Sequence, residues 1–567
     1  MLFTLPKRRC ADEKDPQVIV KTATGLRSFG AALATIRRDF MPGIIIEHLS
    51  FTYPGSYTPV FSDLSFSMDT SWRLGLVGRN GRGKTTLLRL LAGELKGSGR
   101  IETTVQFDTF PFDAKTEGTA LHCLREAVAP FESWEIGMER LLAQGSEESL
   151  SRWGEIEHLY SAQDGYIIDS LIRREADKMG IPADQLDRPF LSFSPGERTR
   201  LLLCALFLRK NRFLLIDEPT NHLDMRGRDI AAEYLSGKPG FLLVSHDRSF
   251  LDRSVDHIIA LQKNSIRIER GTYSSYRDNK QAQDEYELDQ NERLKKDIRR
   301  LTQSAREKAA WSDKVEASKI GEHTFDRGHV GHMAAKMMKR SLSIRNRIDR
   351  SIEEKEALLK EVEFTDALSL HPIKHPSRVL ISALDLSFHY EGGPDLVSSL
   401  NLRVTQGQRI AIAGFNGAGK STLLKLLQGT LAPSSGTISR PKDLIISTLP
   451  QETGSVSGTP FELAGREELE TDYFLTLLRK FGFPRESFTR DAKEFSMGQQ
   501  KKLLLAASMA KPAHLYLWDE PLNYIDLESR EQIEDMLKDT DATLVFVEHD
   551  RHFVERIATD IVDMNRY

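Results

Sequence analysis

Two eight-residue strings carry the most specific chemistry in this 567-residue chain. Gly78-Arg79-Asn80-Gly81-Arg82-Gly83-Lys84-Thr85 and Gly414-Phe415-Asn416-Gly417-Ala418-Gly419-Lys420-Ser421 both fit G-x-x-x-x-G-K-[ST]. Each follows a short apolar run (74–77; 410–413) and opens a leucine-rich helical pattern beginning at Thr86 or Thr422. Glycines at this spacing let backbone N–H groups wrap phosphate oxygens at a helix N-terminus. Lys84 and Lys420 would neutralise the β and γ oxygens of ATP, and Thr85 and Ser421 would supply ligands to Mg2+. Gly78, Asn80, Gly81, Gly83 and Thr86, and Gly414, Asn416, Gly417, Gly419 and Thr422, complete the predicted nucleotide-binding set. Two later apolar runs end in acidic pairs, Phe213-Leu214-Leu215-Ile216-Asp217-Glu218 and Leu515-Tyr516-Leu517-Trp518-Asp519-Glu520. The first carboxylate of each pair, Asp217 or Asp519, suits Mg2+. The second, Glu218 or Glu520, is placed to polarise an attacking water. ATP and Mg2+ are therefore the expected cofactors.

Such loops need a strand behind them and a helix ahead, and the chain supplies that setting twice. Every downstream motif recurs in the same order, so two copies of one α/β domain are expected, at 41–271 and 378–567. Residues 1–40 fit neither copy, and Met41 stands just before the first strand pattern; an upstream start assignment or a poorly ordered extension is the expectation, with a basic targeting peptide as the rival. Acidic Asp12, Glu13 and Asp15 argue against that rival. From Gly83 to Ser194 is 111 positions, but from Gly419 to Ser496 only 77, so the first copy holds 34 more residues. They fall within about 116–164, where Leu121, Leu124, Val128, Phe131, Met138 and Leu142 suggest a helical hairpin arm, kinked or restarted at Pro130. Between the copies, 272–377 is nearly free of strand signals. Leu294, Ile298, Leu301 and Ala305, and Met337, Ser341, Ile344 and Ile348, make apolar seams on two long helices around a break at 320–328. A helix of ~35 residues would reach ~50 Å at about 1.5 Å rise.

Charge and cysteine usage narrow the class. Residues 293–350 hold 16 Lys and Arg against 7 Asp and Glu, so this segment is +9 and the remaining chain −13 of a net −4. One basic segment on an acidic body points to a polyanionic partner met by that segment. Three cysteines (Cys10, Cys123, Cys204) have neither metal-ligand spacing nor a disulfide framework. No stretch approaches the roughly 18–20 apolar residues of a membrane-spanning helix, so no membrane span is expected and a cytoplasmic location is.

The order of motifs resembles the ABC superfamily. Phe193-Ser194-Pro195-Gly196-Glu197 and Phe495-Ser496-Met497-Gly498-Gln499 are similar to its signature, which in that superfamily closes over the nucleotide held by the other cassette; this implies nucleotide contacts for Ser194, Gly196, Ser496 and Gly498. His246 and His549, in Ser245-His246-Asp247 and Glu548-His549-Asp550, stand at the spacing of the superfamily's γ-phosphate-sensing histidine. Tyr53 and Tyr390 sit where an aromatic stacks on adenine, or pack locally. Leu449-Pro450-Gln451 resembles the glutamine loop that contacts Mg2+ and the attacking water; the first copy reads Phe110-Pro111-Phe112, which implies slower turnover at the site using Lys84.

Two cassettes, an arm in the first and a charged helical linker resemble the ABC-F family: α/β, with two tandem ABC-type P-loop domains joined by a long α-helical hairpin. Trp518-Asp519-Glu520-Pro521-Leu522-Asn523-Tyr524-Ile525-Asp526 looks like the Lsa/Vga antibiotic-resistance branch, and Arg79 and Arg82 are similarly Lsa-like, whereas the first copy keeps Thr220-Asn221-His222-Leu223-Asp224. The resemblance implies an ATPase with two composite sites, a monomer closing on its own cassettes. It implies binding in the ribosomal tRNA exit site, where the linker tip meets large-subunit rRNA and P-site tRNA and displaces lincosamide, pleuromutilin or streptogramin A drugs. Lys314, Lys319, Arg327, Lys336, Lys339, Arg340 and Arg345 would meet rRNA phosphates, with His323 and Phe325 free to stack; for each basic residue an ordinary solvated face is the alternative. A housekeeping translation factor of the same family, or the ATPase subunit of a membrane exporter, are the competing readings.

Overall fold

The structure, a computed structural model, describes residues 43–55, 59–221, 223–262, 265–317, 367–454 and 456–566, with backbone alone for 304–317 and 566. Residues 1–40 and the stretch expected to form the second linker helix and the tip lie outside the described residues, and with them Lys319, His323, Phe325, Arg327, Lys336, Lys339, Arg340 and Arg345. Lys314 falls where only backbone is described.

The first cassette begins with β1 (Gly43–Phe51) and β2 (Phe61–Asp69), which pair with β4 (Ser98–Thr103) in the antiparallel order β2-β1-β4. β1 buries alternate residues, Ile44 and Ile46, as a one-sided strand must. The main sheet is built from β3 (Arg73–Val77), β5 (Gln106–Phe110), β6 (Arg212–Asp217), β7 (Phe241–Val244), β8 (His257–Leu261) and β9 (Ile266–Arg270), ordered β5-β6-β7-β3-β8-β9. It is parallel except for β9. β6 and β7 read as unbroken apolar runs because helices or a second sheet cover both faces of a parallel sheet. Helix α1 (Lys84–Leu91) lies between the two sheets, with Leu87, Leu90 and Leu91 packed among Ile44, Ile46, Leu74 and Leu76.

The second cassette repeats the plan. β10 (Val379–His389), β11 (Asp395–Thr405) and β13 (Ser435–Ser439) form the order β11-β10-β13. β12 (Arg409–Ala413), β14 (Ile446–Leu449), β15 (Leu515–Asp519), β16 (Leu544–Val547) and β17 (Asp560–Asp563) form the parallel order β14-β15-β16-β12-β17. In both sheets the phosphate-loop strand and the acidic-pair strand flank one shared neighbour, β7 or β16. The loops after their C-terminal ends therefore converge on one crevice, the place where open α/β sheets bind ligands.

The surplus of the first cassette forms helices α2 (Ala120–Val128), α3 (Phe131–Gln144) and α4 (Glu147–Ala162). Pro130 separates α2 from α3 and caps the latter. Helices α3 and α4 pair through a turn at Gly145, and Tyr160 donates to Glu135 at 2.8 Å. Only Phe131 of α3, and Ser149 and Tyr160 of α4, are buried. Helix α2 differs: Ala120, Cys123, Leu124 and Ala127 are core residues packed on α5 (Pro195–Leu208). The projecting pair is thus 131–162, while α2 belongs to the cassette body.

The linker opens with α6 (Tyr273–Ala317), 45 residues long, or roughly 68 Å at about 1.5 Å per residue. It starts directly after β9 and exceeds the ~35 residues expected from periodicity, because its root continues into the cassette, where Tyr273 and Tyr276 are buried. The helices of the second cassette that matter below are α7 (Lys420–Gln428), α8 (Met497–Ala510) and α9 (Leu527–Lys538). No described helix is long and apolar enough to cross a membrane.

Candidate active site

Each phosphate loop ends on a glycine that no other residue could replace without moving the loop. Gly83 has φ +90°, and a Cβ there would lie 2.6 Å from Val60 Cγ1; Gly419 has φ +83°, and its Cβ would stand 3.2 Å from the Leu396 carbonyl. The lysines that follow are buried. Lys84 Nζ donates to the Gly78 carbonyl at 2.7 Å, and Lys420 Nζ to the carbonyls of Gly414 and Phe415, both at 2.9 Å. Burial lowers both ammonium pKa values, and nearby carboxylates oppose it: Asp526, Glu218 and Asp217 at Lys84, and Glu520, Asp224 and Asp519 at Lys420.

Thr85 Oγ1 donates to Asp217 Oδ2 at 2.9 Å, and the Ser421 hydroxyl likewise bonds Asp519. Burial pushes both aspartates up. Asp519 Oδ1 is buried without a hydrogen-bond partner among the described residues. A hydroxyl beside an orphaned, desolvated carboxylate oxygen is a donor set that suits a hard cation such as Mg2+. Tyr53 and Tyr390 are anchored by their hydroxyls to Thr86 Oγ1 (2.9 Å) and Thr422 Oγ1 (3.3 Å), leaving ring surface exposed at the mouth of each loop.

The glutamates after β6 and β15 differ. Glu218 faces His246, with Nε2 to Oε1 3.4 Å, and burial together with the Asp217 charge pushes its carboxyl up to about 8. Burial and the Lys84 charge hold His246 well below the ordinary imidazole value. Glu520 is also raised by burial, but hydrogen bonds from His549 and Gln451 and the Lys501 charge bring it below the ordinary range. Gln451 Nε2 donates to Glu520 Oε1 at 2.8 Å, and His549 Nε2 lies 3.7 Å from the same oxygen. At the place of Gln451 the first cassette has Phe112, whose ring lies 4.6 Å beneath the Arg209 guanidinium.

Ser194 and Ser496 cap α5 and α8 in capping boxes with Glu197 and Gln499. Gly498 lies against the Tyr524 backbone and the Asn80 side chain: a Cβ there would be 2.6 Å from the Tyr524 carbonyl and 2.7 Å from Asn80 Nδ2 of the other cassette. Asn80 Nδ2 donates to the Tyr524 carbonyl at 2.9 Å, and its backbone N–H reaches Asp526 Oδ2 at 3.4 Å. The first phosphate loop and the second Ser-x-Gly helix start are thereby brought together. On the opposite side Asp224 is near enough to Lys420 to oppose its burial.

Of the residues that fasten this arrangement, the sequence marked Arg79, Leu522 and Asp526 only by family likeness and assigned a fastening role to none of them. Arg79 pairs with Glu528 across the cassettes, and Lys280 of α6 donates to the same carboxylate at 2.8 Å. Arg530 holds Asp550 (3.0 Å) and the Leu522 carbonyl (2.8 Å), and buried Lys502 pairs with Asp526. Lys501 and Lys502 had one available signal, two adjacent cations at the head of an otherwise apolar helix.

The family model described as ABC transporter matches residues 61–221 and 397–523. YdiF of Bacillus subtilis (strain 168) is 29% identical over 528 residues, covering 89% of this chain and 78% of that protein. The energy-dependent translational throttle protein EttA of Escherichia coli (strain K12) is 26% identical over 527 residues, covering 89% of each. Among solved structures, the archaeal ribosome recycling factor aABCE1, in complex with the ribosomal stalk protein aP1, aligns with a TM-score of 0.54 at 19% identity, over 91% of this chain and 87% of that one, a likeness of fold. ABC domains bind ATP, which implies ATPase activity here. With that domain present twice and spanning just over half of its length, the chain belongs to the ABC transporter family and is homologous to ABC-F proteins.

Proposed function

We propose that the chain hydrolyses ATP to ADP and phosphate at two sites, each shared between the cassettes, and that nucleotide-driven closure fits it to the ribosome. The observation carrying this is the meeting of Asn80 with Tyr524, Asp526 and Gly498: the loop that would hold one nucleotide touches the capping turn of the other half. Lys84 and Lys420 bind the β and γ oxygens. Ser496 and Gly498 close over the Lys84 site, and Ser194 and Gly196 over the Lys420 site. Thr85 with Asp217, and Ser421 with Asp519 and Gln451, would hold Mg2+. That ion, when bound, neutralises phosphate charge. Glu218 and Glu520 orient the attacking water and draw its proton, with His246 and His549 beside them. Tyr53 and Tyr390 offer their exposed faces to adenine.

The ribosome is proposed as partner, and a cytoplasmic monomer as the acting form. The relative EttA is described as a translational throttle, and the linker concentrates positive charge between 293 and 350. Lys314 and the tip residues would meet large-subunit rRNA phosphates beside P-site tRNA. In the test, a Glu218→Gln/Glu520→Gln double variant is incubated with ATP and sedimented with ribosomes. Co-pelleting and arrested translation are expected; a double variant left in the supernatant refutes the proposal.

A second reading, displacement of drugs bound near the peptidyl-transferase centre, is favoured by Leu522 and Tyr524. They replace the Thr220 and His222 of the first cassette, and Leu522 is buried with its N–H on Glu548 Oε1 at 2.8 Å. Susceptibility to lincosamides, pleuromutilins and streptogramin A in a host expressing the chain separates resistance from a general role in translation.

A further inference from the structure

Among the described residues, Lys501 is the one lysine in the set of largest fully buried side chains, near the start of a helix whose inner face is apolar but for Lys501, its neighbour Lys502 and Ser508. Among the described residues no carboxylate oxygen is paired with its ammonium, although the charges of Asp519, Glu520 and Glu548 act on it from further away. Instead Nζ donates to three backbone carbonyls: Pro450 at 2.8 Å, Gln451 at 3.2 Å and Asp519 at 3.2 Å. An ammonium has three protons and no acceptor, so this set is complete. Two of the carbonyls belong to the glutamine loop after β14, the third to the last residue of β15. Burying an ammonium is costlier than burying an apolar side chain of the same length, so fold stability does not account for a lysine here.

The first cassette supplies the comparison. Counting from the capping serines, Thr199 holds the position of Lys501, and it is too short to span a loop and a strand end. In that cassette the loop carries Phe112, fixed from outside by Arg209, which also donates to the Ala127 carbonyl at 2.8 Å. Lysine thus occurs with glutamine, and threonine with phenylalanine. We propose that Lys501 is a positioning residue: by tying the carbonyls of Pro450 and Gln451 to that of Asp519, it holds the Gln451 amide on Glu520 and makes the Lys420 site the faster of the two. The inference rests on the reading of Glu520 as the residue that orients water.

The test uses the full chain with Glu218→Gln, so that phosphate release reports the Lys420 site alone. Lys501→Met keeps the length and removes the donors; Lys501→Thr installs the residue of the first cassette. Both are expected to lower kcat roughly ten- to hundredfold, the range for residues that orient a reacting group. KM for ATP should stay within about twofold and the melting temperature should not fall with Lys501→Met, because the severed hydrogen bonds lie behind the loop and a buried charge is removed. Added to Gln451→Ala, Lys501→Met should cost nothing further, since both act through one amide. An unchanged kcat, a KM that rises in step, or losses that multiply with Gln451→Ala overturn the proposal. Glu520→Gln in the same background separates the two levels. If it leaves phosphate release intact, the reading of the site fails. If it abolishes release while Lys501→Met does not, only the role of Lys501 fails.

Discussion

Glu218 and Glu520 occupy the same place in two copies of one domain, each beside an aspartate, a phosphate-loop lysine and a histidine, yet Glu520 alone also meets a glutamine amide and the Lys501 charge. Glu520 receives the Gln451 amide, while Glu218 has an apolar ring at the corresponding loop position and a carboxyl pushed up to about 8. Glu520→Gln should therefore remove the larger share of phosphate release and Glu218→Gln the smaller; equal losses from the two single variants would contradict the asymmetry. Away from the sites, Glu175 is buried and bonded by Tyr234, Lys178 and Lys238, and against the cost of burial these partners hold its carboxyl at about 2. A pKa below the ordinary 4.5 means that its stabilisation is complete above that value and fades as pH falls toward 2. Glu175→Gln should cost about 3 kcal/mol in urea unfolding at pH 7, and the gap to the parent should close on acidification across that window. The phosphate loops and acidic pairs were legible in the sequence because their chemistry is local in the chain. Glu175, Lys501 and Arg530 were not. Lys238 is 63 residues from Glu175, and only packing reveals that these charges are buried.

At the scale of elements, the helical insertion divides into a part the core needs and a part it does not. Periodicity reads α2, α3 and α4 alike, since an apolar stripe does not say what covers it. The structure separates them at Pro130: α2 is sealed in the core, and the α3–α4 pair rests on Phe131 and Tyr160. Replacing 136–156 by a short Gly-Ser turn, which keeps both aromatics, should shift the melting temperature by no more than about 2 °C, as expected where under about 1 kcal/mol is lost, and leave phosphate release intact. A larger drop would place the pair within the cooperative core. Length counting exposed the insertion, because 111 and 77 positions separate equivalent motifs. The linker was legible only as helix. That its root is wedged between cassettes, with Tyr273 on Glu531 at 3.4 Å and Arg277 on the same carboxylate at 3.1 Å, depends on partners more than 250 residues apart.

For the whole molecule, Glu528 is the point where three bodies meet: the first phosphate loop through Arg79, the linker through Lys280, and the second cassette through α9. Removing it leaves two cations facing one another across the interface. Glu528→Ala should raise the ATP concentration for half-closure roughly tenfold, about 1.4 kcal/mol, followed by energy transfer between dyes on the two halves; an unshifted midpoint would confine Glu528 to local packing. The pairing of the halves was anticipated from family likeness, not from any residue pattern, since no local rule matches Asn80 to Tyr524.

The root of α6 is fastened to the far cassette by Arg277 and Lys280, on the same polypeptide that carries both lobes. In the proposed closure of one chain on its own cassettes, meeting would be a unimolecular event, governed by an effective concentration set by the tether and not by how much protein is in the tube. Dilution should leave its rate untouched: a nanomolar sample should shut as fast as a micromolar one, and a chain cut within the linker should lose that indifference.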